Sequence, residues 1–117
     1  MMGFFQWLNT YAGNQRPAIQ IPDGSPAPLA RRRFRFSGIV QGVGFRYEAK
    51  GIAAQLSLVG WVRNQSDGSV VVEIEGAANY IEAFLLGIYA VPRFDITDVQ
   101  TEDLPPLKNE TAFRILY

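Results

Sequence analysis

The chain has 117 residues, of which 48% are apolar and 19% charged, enough to pack one domain of ordinary size. Lys+Arg and Asp+Glu balance at 11 each, which argues against a broad basic footprint for nucleic acid, and no apolar run approaches the roughly 20 residues of a membrane span. Cysteine and histidine are both absent, which excludes disulfides, thiolate metal sites, Ser-His and Cys-His nucleophilic arrangements and imidazole acid–base chemistry.

Residues 1–30 differ from the rest. An aromatic burst (Phe4, Phe5, Trp7) precedes a stretch with Pro17, Pro22, Pro26 and Pro28, plus Gly24 and Ser25. Proline at that density holds neither a helix nor a central strand, so residues 1–30 are expected to form a flexible Pro-rich tail, the alternative being a short aromatic anchor for a partner or a membrane surface. No basic region precedes Phe4 as a secretory signal would require, and a cytoplasmic location is expected.

The folded domain is expected over residues 31–117. From Arg33 to Val40 apolar residues alternate, a strand pattern that Gly42-Val43-Gly44 interrupts. The period then changes: Phe45, Ala49, Ile52, Ala53 and Leu56 fall on one helical face. Val59–Val62 and Val70–Ile74 read as strands, joined through the turn signal Asp67-Gly68. Ile81, Phe84, Leu85 and Ile88 predict a second helix ending before Pro92. Phe94–Thr101 reads as a fourth strand, and Phe113, Ile115 and Tyr117 alternate as a short closing one. The order β-α-β-β-α-β plus a terminal strand predicts an α+β ferredoxin-like sandwich, an antiparallel sheet with both helices on one face. RNA-recognition modules share this order, but Val70–Glu75 carries no aromatic for base stacking and two carboxylates instead, so no nucleic-acid partner is expected.

Two segments carry candidate chemistry. Gly38-Ile39-Val40-Gln41-Gly42-Val43-Gly44-Phe45-Arg46 lies where the first strand hands over to the first helix. Its glycines allow successive backbone N–H groups to face one concave side, and the helix N-terminus adds further unsatisfied N–H groups. That makes an anion cradle, into which Arg46 can bring a two-pronged guanidinium. A plain strand–helix turn also uses such glycines. The segment is not a Walker A loop, having no Gly-Lys-Ser/Thr. In Gly60-Trp61-Val62-Arg63-Asn64, Asn64 ends the second strand; its amide offers a donor and an acceptor able to orient a water, although Asn is also an ordinary turn residue.

Together the two segments, with Arg46 and Asn64 18 positions apart, resemble the signatures of the acylphosphatase family, and the resemblance runs from about Arg33 to Tyr117. It implies hydrolysis of acyl phosphates to carboxylate and inorganic phosphate, without metal, cofactor or covalent intermediate. It implies that Gln41, Gly42, Val43, Gly44, Phe45 and Arg46 bind the phosphoryl group and that Asn64 orients the attacking water. The partner implied is a small acyl phosphate, with neither nucleic acid nor membrane, and the chain is expected to be a monomer. The alternative is a non-catalytic phosphate- or carbamoyl-phosphate-binding or interaction module of the same fold. Ser57 and Val91 depart from the family's usual glycines at those positions.

Three smaller expectations complete the reading. Arg31-Arg32-Arg33 with Arg35 reads as a solvated strand edge, Glu73 and Glu75 as solvent-facing strand positions, and Trp61 as an aromatic next to the helices.

Overall fold

The computed structural model describes Pro22 and residues 27–117. The expected tail therefore lies largely outside the described residues. Within them the order is β1 (Leu29–Ile39), α1 (Phe45–Gln55), β2 (Val59–Asn64), β3 (Val70–Ala77), α2 (Ala78–Tyr89), β4 (Asp95–Leu104) and β5 (Phe113–Leu116). The first strand opens at Leu29, two residues ahead of the expected domain start.

The sheet order is β4-β1-β3-β2-β5. β1 pairs antiparallel with β3 and β4, and β2 antiparallel with β3, so β1 and β2 run parallel on either side of β3. By the same logic β3 and β4 run parallel on either side of β1. These are the two interleaved split βαβ units of a ferredoxin-like fold. β5 adds to the β2 edge in parallel, Val62 against Ile115, which makes the sheet mixed at that one seam.

Alternation decides the core. Phe34 stands opposite Val72 and Phe36 opposite Val70, and all four are buried. Cross-strand partners project to the same face, and on that face Ala49, Ile52, Ala53, Ile81, Phe84 and Ile88 of the two helices complete one apolar cluster. A chain of rings, Phe36 to Phe45 at 5.0 Å and Phe45 to Phe94 at 4.7 Å between centroids, ties the start of α1 to the sheet and to the segment after α2. Ser57, just past α1, has φ +54°, the left-handed conformation that glycine adopts more readily.

The opposite face corrects the three smaller expectations. β1 is an interior strand, so Arg31 is no edge residue: it is 2% exposed and bridges to Glu73, Glu75 and Glu110. Glu73 and Glu75 are buried rather than solvent-facing: Glu73 lies under Arg31 and Arg33, and the segment between β4 and β5 meets Glu75, the backbone N–H groups of Leu107 and Lys108 donating to it at 2.7 and 3.0 Å. Arg33 pairs with Glu73, and Arg35 with Asp67 in the β2–β3 hairpin. Trp61 lies away from the helices, because Val62 beside it takes the core-facing position. Burial alone would raise the Glu75 pKa, but the two N–H donors and Arg31 outweigh it and hold the carboxyl below its ordinary range. Burial likewise disfavours the Arg31 cation, and the surrounding carboxylates more than restore it, so its pKa is raised.

Candidate active site

Because β1 and β2 run parallel, both end at the same edge of the sheet. Phe36 and Asn64 are each in register with Val70, so Asn64 sits two strands across from the last buried residue of β1 and projects toward the helix face. From that edge the chain leaves β1, turns through residues 40–44 and starts α1. Two motifs distant in sequence therefore converge at one corner of the domain.

The turn is built on alternate left-handed residues, Gly42 at φ +75° and Gly44 at φ +80°. A side chain would be strained at either position, and the alternation turns successive N–H groups toward one side. Gly44 is also the residue preceding α1, and no side chain among the described residues caps this helix. Its first-turn N–H groups and positive dipole end stay available to an anion.

A cavity of about 90 Å³ opens here, lined by Val40, Gly42, Gly44, Phe45, Arg46, Tyr47 and Asn64. Arg46 is half-buried, and no carboxylate among the described residues pairs with it; its guanidinium lies 5.0 Å from the Tyr117 ring centroid. Asn64 Oδ1 is buried without a hydrogen-bond partner among the described residues. A buried acceptor of this kind on a polar cavity wall is suited to receive an O–H from water. The corner thus offers a cation, a set of N–H donors and an amide acceptor within one small volume.

Of the six loop residues singled out in the sequence, Gly42, Gly44, Phe45 and Arg46 line the cavity, and Gln41 and Val43 do not. The Gln41 side chain donates instead to the carbonyls of Gln65 at 2.8 Å and Ser69 at 2.9 Å, fastening the loop to the hairpin that carries Asn64. The Val43 carbonyl accepts from Arg93. The sequence reading missed Tyr47 as a cavity residue and Tyr117 as the ring beside Arg46. Adjacency to Arg46 was an available signal for Tyr47, whereas Tyr117 meets the site only through the β2–β5 pairing. Position 68 carries φ +93° in the tight hairpin closed by Gly68 N–H to Gln65 O, as Asp67-Gly68 predicted.

A larger cavity of about 500 Å³ lies on the open sheet face, lined by residues that include Arg33, Arg35, Trp61 and Arg63. Arg33 and Arg35 are committed to Glu73 and Asp67, and Arg63 stacks 5.5 Å from the Trp61 ring centroid. No run of loop N–H groups meets them there, so the 90 Å³ corner is the stronger candidate.

Comparison with known proteins identifies the family. Residues 32–115 match the family model described as Acylphosphatase. The chain is 38% identical over 100 residues to an acylphosphatase of Koribacter versatilis, covering 81% of this chain and 91% of that protein. It superposes on a crystal structure of acylphosphatase from Bacillus subtilis with a TM-score of 0.71 at 34% identity, covering 77% of this chain and all of the other. A full-length HypF structure in phosphate- and nucleotide-bound form gives a TM-score of 0.71 at 33% identity, covering 81% of this chain but 13% of that one. With a family match that reaches all five strands and a relative 38% identical over most of the chain, the chain belongs to the acylphosphatase family.

Proposed function

We propose that the protein hydrolyses acyl phosphates to carboxylate and inorganic phosphate at the corner formed by the 41–46 loop, Arg46 and Asn64. The observation that carries this is the shared cavity: an unpaired guanidinium among the described residues, uncapped helix N–H groups and the orphan Asn64 Oδ1 all border it. The phosphoryl oxygens take the loop N–H groups and the Arg46 fork, whose planar geometry matches two oxygens at once. Asn64 accepts a hydrogen bond from the attacking water and holds its oxygen in line with the phosphorus. The leaving carboxylate departs as a stable anion, so no strong general acid is required at that end. Catalysis by this route is positioning plus charge stabilisation.

The reaction proceeds on this account without a bound metal. Its support is the ligand inventory: the chain has no His or Cys, and no group of three or more Asp and Glu among the described residues could hold an ion. The proposal extends to a monomer acting in the cytoplasm on a small substrate free in solution, with neither nucleic acid nor membrane as partner. No helix of the described residues is long and apolar enough to cross a membrane. Fractionation and sedimentation test location and state.

The function itself is tested by phosphate release from benzoyl phosphate in excess chelator. Activity should survive. Arg46→Ala should lose phosphate binding and turnover together, and Arg46→Lys should recover little, because an ammonium lacks the two-point contact. Loss of wild-type activity in chelator, restored by added metal, contradicts the mechanism.

A further inference from the structure

Arg93 stands in the segment between α2 and β4, fifty positions from the phosphate loop. Its Nε donates to the Val43 carbonyl at 2.6 Å, and its second terminal nitrogen donates to Glu48 Oε1 at 2.8 Å. The same guanidinium lies 5.3 Å from the Phe94 ring centroid, and Phe94 packs on Phe45. A Cβ added at Gly44 would stand 3.1 Å from that terminal nitrogen, so Arg93 rests directly against the turn. It borders the loop from outside, since it is not among the residues lining the cavity.

We infer that Arg93 is a positioning residue for phosphate binding, bracing the loop from behind and neutralising Glu48 beside the anion cradle. The inference rests on the cradle reading given above. Three physical steps support it. The Val43 carbonyl and the Gly44 N–H belong to one planar trans peptide and point in opposite directions. Holding the carbonyl against Arg93 therefore aims the Gly44 N–H away from Arg93, and Gly44 is on the cavity wall. A cation on the carbonyl also polarises that peptide and strengthens its N–H as a donor.

Glu48 is 6% exposed and sits in the first turn of α1, whose N-terminus faces the cavity. A carboxylate there repels an incoming phosphoryl dianion. The Arg93 pairing offsets that charge, and no carboxylate among the described residues pairs with Arg46. Arg93 acts on the phosphoryl group only through the loop and through Glu48.

The test measures the inhibition constant for inorganic phosphate, with KM and kcat for benzoyl phosphate, in wild type, Arg93→Ala, Arg93→Lys, Arg93→Ala/Glu48→Gln and Arg46→Ala. An inhibition constant does not depend on the fraction of protein that is folded, so a merely structural role leaves it unmoved. Arg93→Ala should raise that constant and KM together by roughly 10-fold, the scale of one charge-assisted hydrogen bond, with kcat changing less, because the cradle engages the phosphoryl group before and during reaction. Arg93→Lys should recover part of the loss, and so should adding Glu48→Gln to Arg93→Ala. Wild-type phosphate inhibition and KM in Arg93→Ala, with both lost in Arg46→Ala, overturn the brace alone. Wild-type values in Arg46→Ala overturn the cradle reading and the brace with it.

Discussion

The Gln41 side chain spans the two halves of the site: its Nε2 donates at 2.8 Å to the carbonyl of Gln65, the residue immediately after Asn64. A second bond from the same nitrogen reaches Ser69 O at 2.9 Å, on the far side of the β2–β3 hairpin. Those two carbonyls also close the hairpin, accepting from Gly68 N and Gln65 N. One amide thus ties the 41–46 loop to the hairpin carrying the residue proposed to hold the water.

Gln41→Leu removes this tether while leaving the backbone N–H at position 41. Each carbonyl keeps its hairpin partner, so the cost to stability is the two bonds alone, about 1–2 kcal/mol. Turnover should suffer more than binding, because the loop survives and its alignment with Asn64 does not. We expect kcat for benzoyl phosphate to fall roughly 10-fold or more, with phosphate inhibition within a few-fold of wild type. Steady-state kinetics beside a thermal melt checks both halves.

The buried network on the other face makes the fold acid-sensitive. The Glu75 carboxyl has its pKa lowered in the folded protein: burial opposes ionisation, and the Leu107 and Lys108 N–H groups with Arg31 overcome it. A depressed folded value means the unfolded chain binds the proton more readily. The stabilisation is therefore complete above the ordinary glutamate value of 4.5 and is lost as pH falls below it through the folded value. Glu75→Gln should be less stable than wild type by about 1–3 kcal/mol at neutral pH. The difference should shrink as pH falls below that value, as urea melts across an acid series would show.

The first described residues before β1 hold the start of α2. Pro28 O accepts from Ala78 N at 3.1 Å, Ala27 N donates to Asn79 Oδ1 at 3.3 Å, and Leu29 and Ala30 pair with Ala77 and Gly76. No side chain among the described residues caps α2, and Pro28 supplies a partner to its first turn. A chain starting at Arg31 should melt roughly 10 °C below one starting at Ala27, the scale for about 2 kcal/mol in a domain of this size. Its activity per folded molecule should match, since these contacts lie at the end of β1 remote from the loop. Paired melts and active-site titration test this.

Local pattern made much of the site legible. The change from strand to helix period at Gly42-Val43-Gly44, and Asp67-Gly68 between two apolar runs, place the loop and the hairpin without tertiary information. Alternation in β3 separates Val70, Val72 and Ile74 from Val71, Glu73 and Glu75, but it carries parity only. It does not say that the segment after β4 will meet Glu75, or that Arg31 will bridge Glu73, Glu75 and Glu110. Trp61 was misplaced because its strand has an apolar residue on both faces, which leaves parity undecided. Arg93 leaves no mark in the sequence near the loop, because its contact with Val43 exists only after β4 returns to β1.

The central claim is that Asn64 holds the attacking water while Arg46 and the loop hold the phosphoryl group, and Asn64→Ala separates the two roles. With folding verified by circular dichroism, kcat for benzoyl phosphate should fall by roughly 10²–10³-fold, the scale of one lost positioning or oxyanion donor. Phosphate inhibition should stay within a few-fold of wild type, because the loop N–H groups and Arg46 are untouched. A folded Asn64→Ala protein that turns over benzoyl phosphate at the wild-type rate contradicts the account.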